Sequence, residues 1–301
     1  MPASYTLSIL PLLFSFAAVG EVTQPMLYRV SCEKSASDSY LLGTIHVGID
    51  LDEFDKSDVK KKISGAREVL VEVERSDDFL EKMKTDPWTT AMPELKRFAA
   101  TPGDAVDQTT INNLVKLGIP ADIAGQLSDR HACIPVLGFW SQVHDGHLML
   151  DGQITEFAHQ NKIPVESLDT ESLREQAKAL DVNFQCSLKD VFSKNSPEQL
   201  RRIYDARNIM SADDYRRGIK PANSDTPLAV VRNLAWMSKL LPELKKGGVF
   251  AAVGSAHLFG NNGLLSLIAR NGCSVRPVFG RPKSASRPLD PLNGPRPPAA
   301  Q

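Results

Sequence analysis

Phe250-Ala251-Ala252-Val253-Gly254-Ser255-Ala256-His257-Leu258-Phe259-Gly260 is an apolar run that ends in Gly-x-x-His. Gly247-Gly248 precedes it and Gly254 stops it, so Val249 to Val253 reads as a buried strand. A glycine at the end of a strand lets the backbone turn sharply and approach a ligand closely. Tyr40-Leu41-Leu42-Gly43-Thr44-Ile45-His46-Val47-Gly48 repeats the form, with its histidine 211 positions earlier. Each copy precedes a helix and then another strand, which is the mark of an internal repeat. In open α/β sheets, ligands bind beyond the carboxyl ends of the strands. Two such turns on neighbouring strands would aim His46 and His257 at one point.

The next strand-like run after the first turn is Val69-Leu70-Val71-Glu72-Val73, a β-branched stretch with a carboxylate inside it. A charge in such a run is expected to be paired or bound. His46, His257 and Glu72 therefore form a candidate ligand set for a divalent metal with open positions. They serve equally as a base with its orienting carboxylate and no metal. Glu74 shares the strand face of Glu72 by alternation and is the rival acid. A lone strand-end histidine is more often structural; two identical contexts favour function. His144 and His147, near Asp145 and Asp151, are spaced for metal on a helix, but read better as the polar side of an amphipathic one. His131 and His159 have no supporting context.

Outward from these blocks the chain alternates strands and helices. Leu27 to Cys32 and Tyr40 to Leu42 predict a hairpin around a polar turn. Helix is expected over 53–66. Residues 78–150 read as mostly helical, broken at Pro87, Pro93, Pro102 and Pro120. They form a helical insertion or cap. Helix continues over 154–160, then a short strand over 163–168 and a helix over 171–180. Ser196-Pro197-Glu198-Gln199 has the capping-box form with Pro at the first helical position. Asp225-Thr226-Pro227 opens another helix, with Leu228, Val231, Leu234 and Leu241 on one face. A helix over 264–269 and a strand over 274–278 close the pattern. The fold class is α/β, a central sheet built from two similar halves, in one domain over 21–280.

Composition narrows the function classes. The 301 residues are 42% hydrophobic and 24% charged, with formal net charge −1. No basic surplus marks a nucleic-acid partner, and no apolar run is long enough to span a bilayer. Ile9 to Val19 is nearly all apolar, and Ala18-Val19-Gly20 at its end puts small residues at the −3 and −1 positions of a cleavage site. Residues 1–20 thus read as a signal peptide, although no Lys or Arg precedes the apolar core, and the chain is expected to be periplasmic or secreted. Cys32, Cys133, Cys186 and Cys273 contain no Cys-x-x-Cys pair. Disulfides and buried thiols are both open. Residues 281–301 hold six prolines and few large apolar groups, so they are expected to be a disordered tail.

Together these blocks resemble the TraB/GumN family: Leu41 to Val47, Val71-Glu72 and Val253 to Gly260. So do Arg232-Asn233 with Trp236 on the preceding helix, Leu168-Asp169-Thr170-Glu171, and Gly263-Leu264-Leu265. That family includes the Tiki metalloproteases and is related to erythromycin esterases and ChaN-like haem-binding proteins. The resemblance covers residues 25–280. It implies that His46, His257 and Glu72 are the active-site residues and metal ligands, with Arg232 lining the same site and Asp169 standing where the family often has Glu. It implies a hydrolase of a peptide or other acyl bond that uses a divalent ion such as Mn, Co or Zn. Metal-free ester hydrolysis with histidine as base, and non-catalytic binding of haem or a surface polymer, are the alternatives. Ser255 lacks a Gly-x-Ser-x-Gly elbow and is not read as a nucleophile.

Overall fold

The computed structural model describes residues 27–44, 50–51, 58–100, 103–146, 148–178, 187–189 and 226–278. The expected signal peptide, His46, the helix expected from Ser196-Pro197 and the proline-rich segment after residue 280 lie outside them.

Six strands form one mixed sheet: β1 (Leu27–Cys32), β2 (Ser39–Thr44), β3 (Glu68–Val71), β4 (Val165–Ser167), β5 (Val249–Gly254) and β6 (Cys273–Pro277). Their order is β4-β3-β5-β2-β1-β6. The β2–β5, β3–β5 and β3–β4 pairs are parallel; β1 runs antiparallel to both β2 and β6. Parallel strands covered on both faces read as continuous apolar runs, and every residue of β3 and β5 is buried. The hairpin expected from Leu27 to Leu42 is present. The two strands carrying the Gly-x-x-His blocks are direct neighbours, with Gly43 opposite Val253 and Thr44 opposite Gly254. β2 and β5 therefore end together at the carboxyl edge of the sheet.

Helices α1 (Asp58–Ser64) and α7 (Leu150–Gln160) cover one face, packing Ile63, Leu150 and Ile154 on Val69, Val71 and Phe250. The other face packs Leu41, Leu70, Ala251 and Val253 against Trp236, Leu240 and Leu244 of the long helix Pro227–Lys246, and against Leu264 and Ile268 of the helix Leu264–Arg270. Between β3 and β4 the chain forms α2 (Asp77–Thr85), α3 (Pro87–Leu95), α4 (Gln108–Lys116), α5 (Ala121–Ala124) and α6 (Cys133–Asp145). They enclose a third core around Leu95, Leu114 and Leu127. After β4 come α8 (Glu171–Lys178), the long helix, now α9, and the helix at 264–270, now α10.

The entry to α9 follows its sequence signal. Thr226 Oγ1 caps Ala229 N and Pro227 fills the first turn. The face is a correction. Ala229, Asn233, Trp236, Leu240 and Leu244 are buried, whereas Leu234 is 53% exposed. The sheet selected the stripe containing the largest ring, Trp236, and that stripe includes a polar residue a purely apolar count passes over. Cys32 and Cys273, register partners on β1 and β6, form a disulfide that closes a separation of 241 residues. Cys133 is also disulfide-bonded.

Candidate active site

Glu72 is not inside β3, as the apolar run suggested, but is the first residue beyond it. The pairing with β4 continues past the strand ends. Val71 O accepts from Leu168 N at 2.7 Å, and Glu72 O accepts from Asp169 N at 2.9 Å. Glu72 and Asp169 are thereby held side by side at the carboxyl edge. Alternation carries the Glu72 side chain to the face with Leu70, where α9 lies.

Arg232 of α9 joins the two acids. Its Nη2 donates to Glu72 Oε2 and to Asp169 Oδ2, each at 2.7 Å, and its Nε donates to Asp169 Oδ1 at 3.3 Å. The other Glu72 oxygen accepts the Gly254 backbone N–H at 2.6 Å. Asp169 Oδ1 also accepts from Trp236 Nε1 at 2.7 Å. The side chains are 10% (Glu72), 2% (Asp169) and 15% (Arg232) exposed. Burial works to lower the Arg232 pKa, but Glu72 and Asp169 outweigh it and hold the guanidinium above its ordinary value. Arg232 thus bridges two carboxylates in a place largely closed to water.

His257 ends a 3-10 turn, Ser255–His257, that starts where β5 stops. Its ring is buried against Trp236, with centroids 4.4 Å apart. Asn233 decides which nitrogen carries the proton. Its Nδ2 donates to the carbonyls of His257 (3.2 Å) and Asn262 (2.8 Å), which leaves Oδ1 as the acceptor 2.7 Å from His257 Nδ1. An imidazole that donates from Nδ1 keeps the lone pair of its neutral form on Nε2. That Nε2 lies 3.3 Å from Arg232 Nη1 and 3.8 Å from Glu72 Oε1.

The structure thus brings Glu72, Arg232 and His257 together; His46 lies outside the described residues. Asp169, whose place the sequence left in doubt, belongs to the same centre. Asn233 and Trp236 stood beside Arg232 in the sequence without a role, and their spacing to it, one and four along a helix, was the available signal. Glu74 is not the acid: it is exposed, its N–H is taken by Ser167 Oγ, and its carboxylate lies 3.9 Å from His159. His131 faces Asp104 at 3.7 Å. Of the His144–His147 pair, neither side chain is among those described. Among the described residues no group of three His, Cys, Asp or Glu could hold an ion, and no helix is long and apolar enough to cross a membrane.

The buried acid–guanidinium–imidazole centre stands at the carboxyl edge of a mixed α/β sheet, the edge beyond which such sheets bind ligands. The TraB/PrgY/gumN family model matches residues 26–277, and the chain belongs to that family. No curated protein matches it.

Proposed function

We propose that this chain is an exported hydrolase of peptide or other acyl bonds, working at the Glu72–Arg232–His257 centre. The observation that carries the reading is the Asn233–His257 hydrogen bond, which fixes the imidazole with its basic nitrogen toward Glu72 and Arg232. A base must reach the proton it removes before its basicity matters. Here Nε2 takes a proton from an attacking water. Arg232, the fixed cation of the site, faces the oxygen on which negative charge develops. Asp169 and Trp236 hold that guanidinium, and Asn233 holds the ring. The disulfide between Cys32 and Cys273 supports an oxidising compartment.

The donor set fits a divalent ion in kind. A neutral imidazole nitrogen and a carboxylate oxygen stand 3.8 Å apart. Glu72 and His257 would hold the ion, with His46 as a third ligand. When bound, the ion would polarise the carbonyl and lower the pKa of water. Metal-free hydrolysis is favoured by a different observation. Arg232 already pairs with Glu72, and its Nη1 lies 3.3 Å from His257 Nε2, so the site contains a cation without any metal.

The test is turnover of ester and peptide substrates by purified protein, before and after chelation, with metal content measured in parallel. Activity lost on chelation and restored by Mn, Co or Zn supports the metal-dependent form. Activity indifferent to chelation, but lost in His257→Gln, supports the metal-free form. Activity that His257→Gln leaves unchanged would remove both.

A further inference from the structure

The basic nitrogen of His257 is already engaged. A neutral imidazole has one acceptor lone pair, and with Nδ1 bonded to Asn233 Oδ1 that lone pair is on Nε2. Arg232 Nη1 stands 3.3 Å from it. A guanidinium has donors only, so Nη1 donates and Nε2 accepts. One lone pair serves one strong donor. While Nη1 holds it, Nε2 can take neither a proton from water nor a metal ion.

Several neighbours build this contact. The Arg232 guanidinium carbon lies 4.5 Å from the Trp236 ring, and the His257 ring packs on the same indole at 4.4 Å. The indole Nε1 donates to Asp169 Oδ1 at 2.7 Å, and the same carboxylate grips Arg232 through Nε and Nη2. Glu72 Oε2 accepts from Nη2 as well. The carboxylates thus hold one side of the guanidinium, and Nη1, on the other side, meets the imidazole. A proton placed on Nε2 with Nη1 still there would set two positive charges 3.3 Å apart, in a site where water screens them little.

We propose that Arg232 is a lock on His257 Nε2, released when the oxygen of an acyl substrate draws Nη1 onto itself. This rests on the acyl-hydrolase reading and deepens it by ordering its steps. The scissile carbonyl oxygen first takes Nη1, while Asp169 keeps its hold on Nε and Nη2. Nε2 then accepts a proton from water. The water oxygen bonds the acyl carbon, and the carbonyl π pair moves to the oxygen that Nη1 now holds. The imidazolium so formed has Glu72 Oε1 3.8 Å away as its counter-charge. The empty site keeps its base out of use, and substrate brings it into use.

The test reads nitrogen resonances of the purified protein labelled with 15N-histidine and 15N-arginine, at a pH where imidazole is neutral. His257→Gln assigns the ring signals. In the empty protein a scalar coupling is expected across the Nη1–H···Nε2 bond, with the Nε2 resonance upfield of a free basic nitrogen. Arg232→Lys, which keeps a charge for the two acids but loses the planar fork, should abolish both. Methylphosphonate, a tetrahedral oxyanion, should remove the coupling saturably, and chloride at equal ionic strength should not. A missing coupling with a free-nitrogen Nε2 resonance would overturn the lock, and this measurement decides even if Arg232→Lys does not fold. An Nε2 resonance unchanged in Arg232→Lys would overturn it too, as would a coupling that methylphosphonate leaves intact. Because the coupling is read without turnover, its presence in a protein that hydrolyses no acyl substrate would sink the hydrolase reading alone. Hydrolysis without the coupling would sink the lock alone.

Discussion

Asn233 carries no charge, yet three hydrogen bonds converge on its amide and set the His257 tautomer. Asn233→Ala is expected to cut turnover by about 10–100-fold, the usual effect of losing the partner that orients a site histidine. Its comparison with His257→Ala is informative. His257 is buried and stacked on Trp236, so its truncation leaves the Asn233 oxygen unpaired and costs about 1–3 kcal/mol of stability. Thermal melts with activity assays on both variants check this: His257→Ala should be inactive and measurably less stable. A second residue-scale expectation concerns pH. At the opposite end of β3, Glu68 is buried and its Oε2 makes no hydrogen bond, although Arg67 Nη1 is 3.3 Å away. Burial, then the Glu243 carboxylate, raises its pKa above the ordinary 4.5, against the pull of Arg67. The folded chain then holds a proton that the unfolded chain has lost, so stability falls as pH rises from about 4.5 through the raised value. Glu68→Gln avoids this loss. Its melting temperature should exceed that of the wild type at pH 7, and the gain should vanish near pH 4.

At the scale of elements, periodicity announced most of the scaffold. Continuous apolar runs gave away β3 and β5 because parallel strands are buried on both faces. Thr226-Pro227 marked the start of α9, and the paired glycine turns marked the edge where the site lies. Tertiary geometry hid the rest. The α9 stripe that meets the sheet includes Asn233, so counting apolar residues placed Leu234 inside, where the structure has it exposed. Asp169 gave only a position after a strand; its meeting with Arg232 depends on β4 lying beside β3. Two glycines show how little room the connections leave. A Cβ on Gly263 would come within 2.4–2.6 Å of the Leu258 and Phe259 backbone, in the loop that follows His257. At Gly247, φ is +85° and a Cβ would lie 2.4 Å from Ser37 O, where α9 passes the β1–β2 turn. Gly247→Ala should therefore destabilise by roughly 2 kcal/mol or more, combining backbone strain with a backbone clash. Denaturant unfolding checks it, and a loss below about 0.5 kcal/mol would show that this junction yields.

For the whole molecule, the two ends of the sheet-forming chain are tied together. β6 pairs with β1, Val278 N donates to Leu27 O, and the Cys32–Cys273 bond joins facing residues. Closing so long a loop is worth about 5 kcal/mol in the chain-entropy limit. Reduction should lower the melting temperature strongly, and Cys32→Ser with Cys273→Ser should reproduce the effect. Ending the chain at residue 280 keeps this closure and should leave melting temperature and activity unchanged. Ending it at residue 272 removes β6 and should abolish folding. The central claim is that the acid beyond β3 serves chemistry as well as structure, and Glu72→Gln tests it most directly. The amide keeps the volume and one acceptor for Gly254 N–H, but removes the charge that Arg232 and any bound ion require. Turnover, metal content and melting temperature measured on this variant separate the possible roles. The expected result is turnover reduced at least 100-fold in a protein that still folds, with metal content falling in parallel if an ion is held there. Near-normal turnover, with only a lower melting temperature, would show that Glu72 is a structural partner of Arg232 and contradict the account.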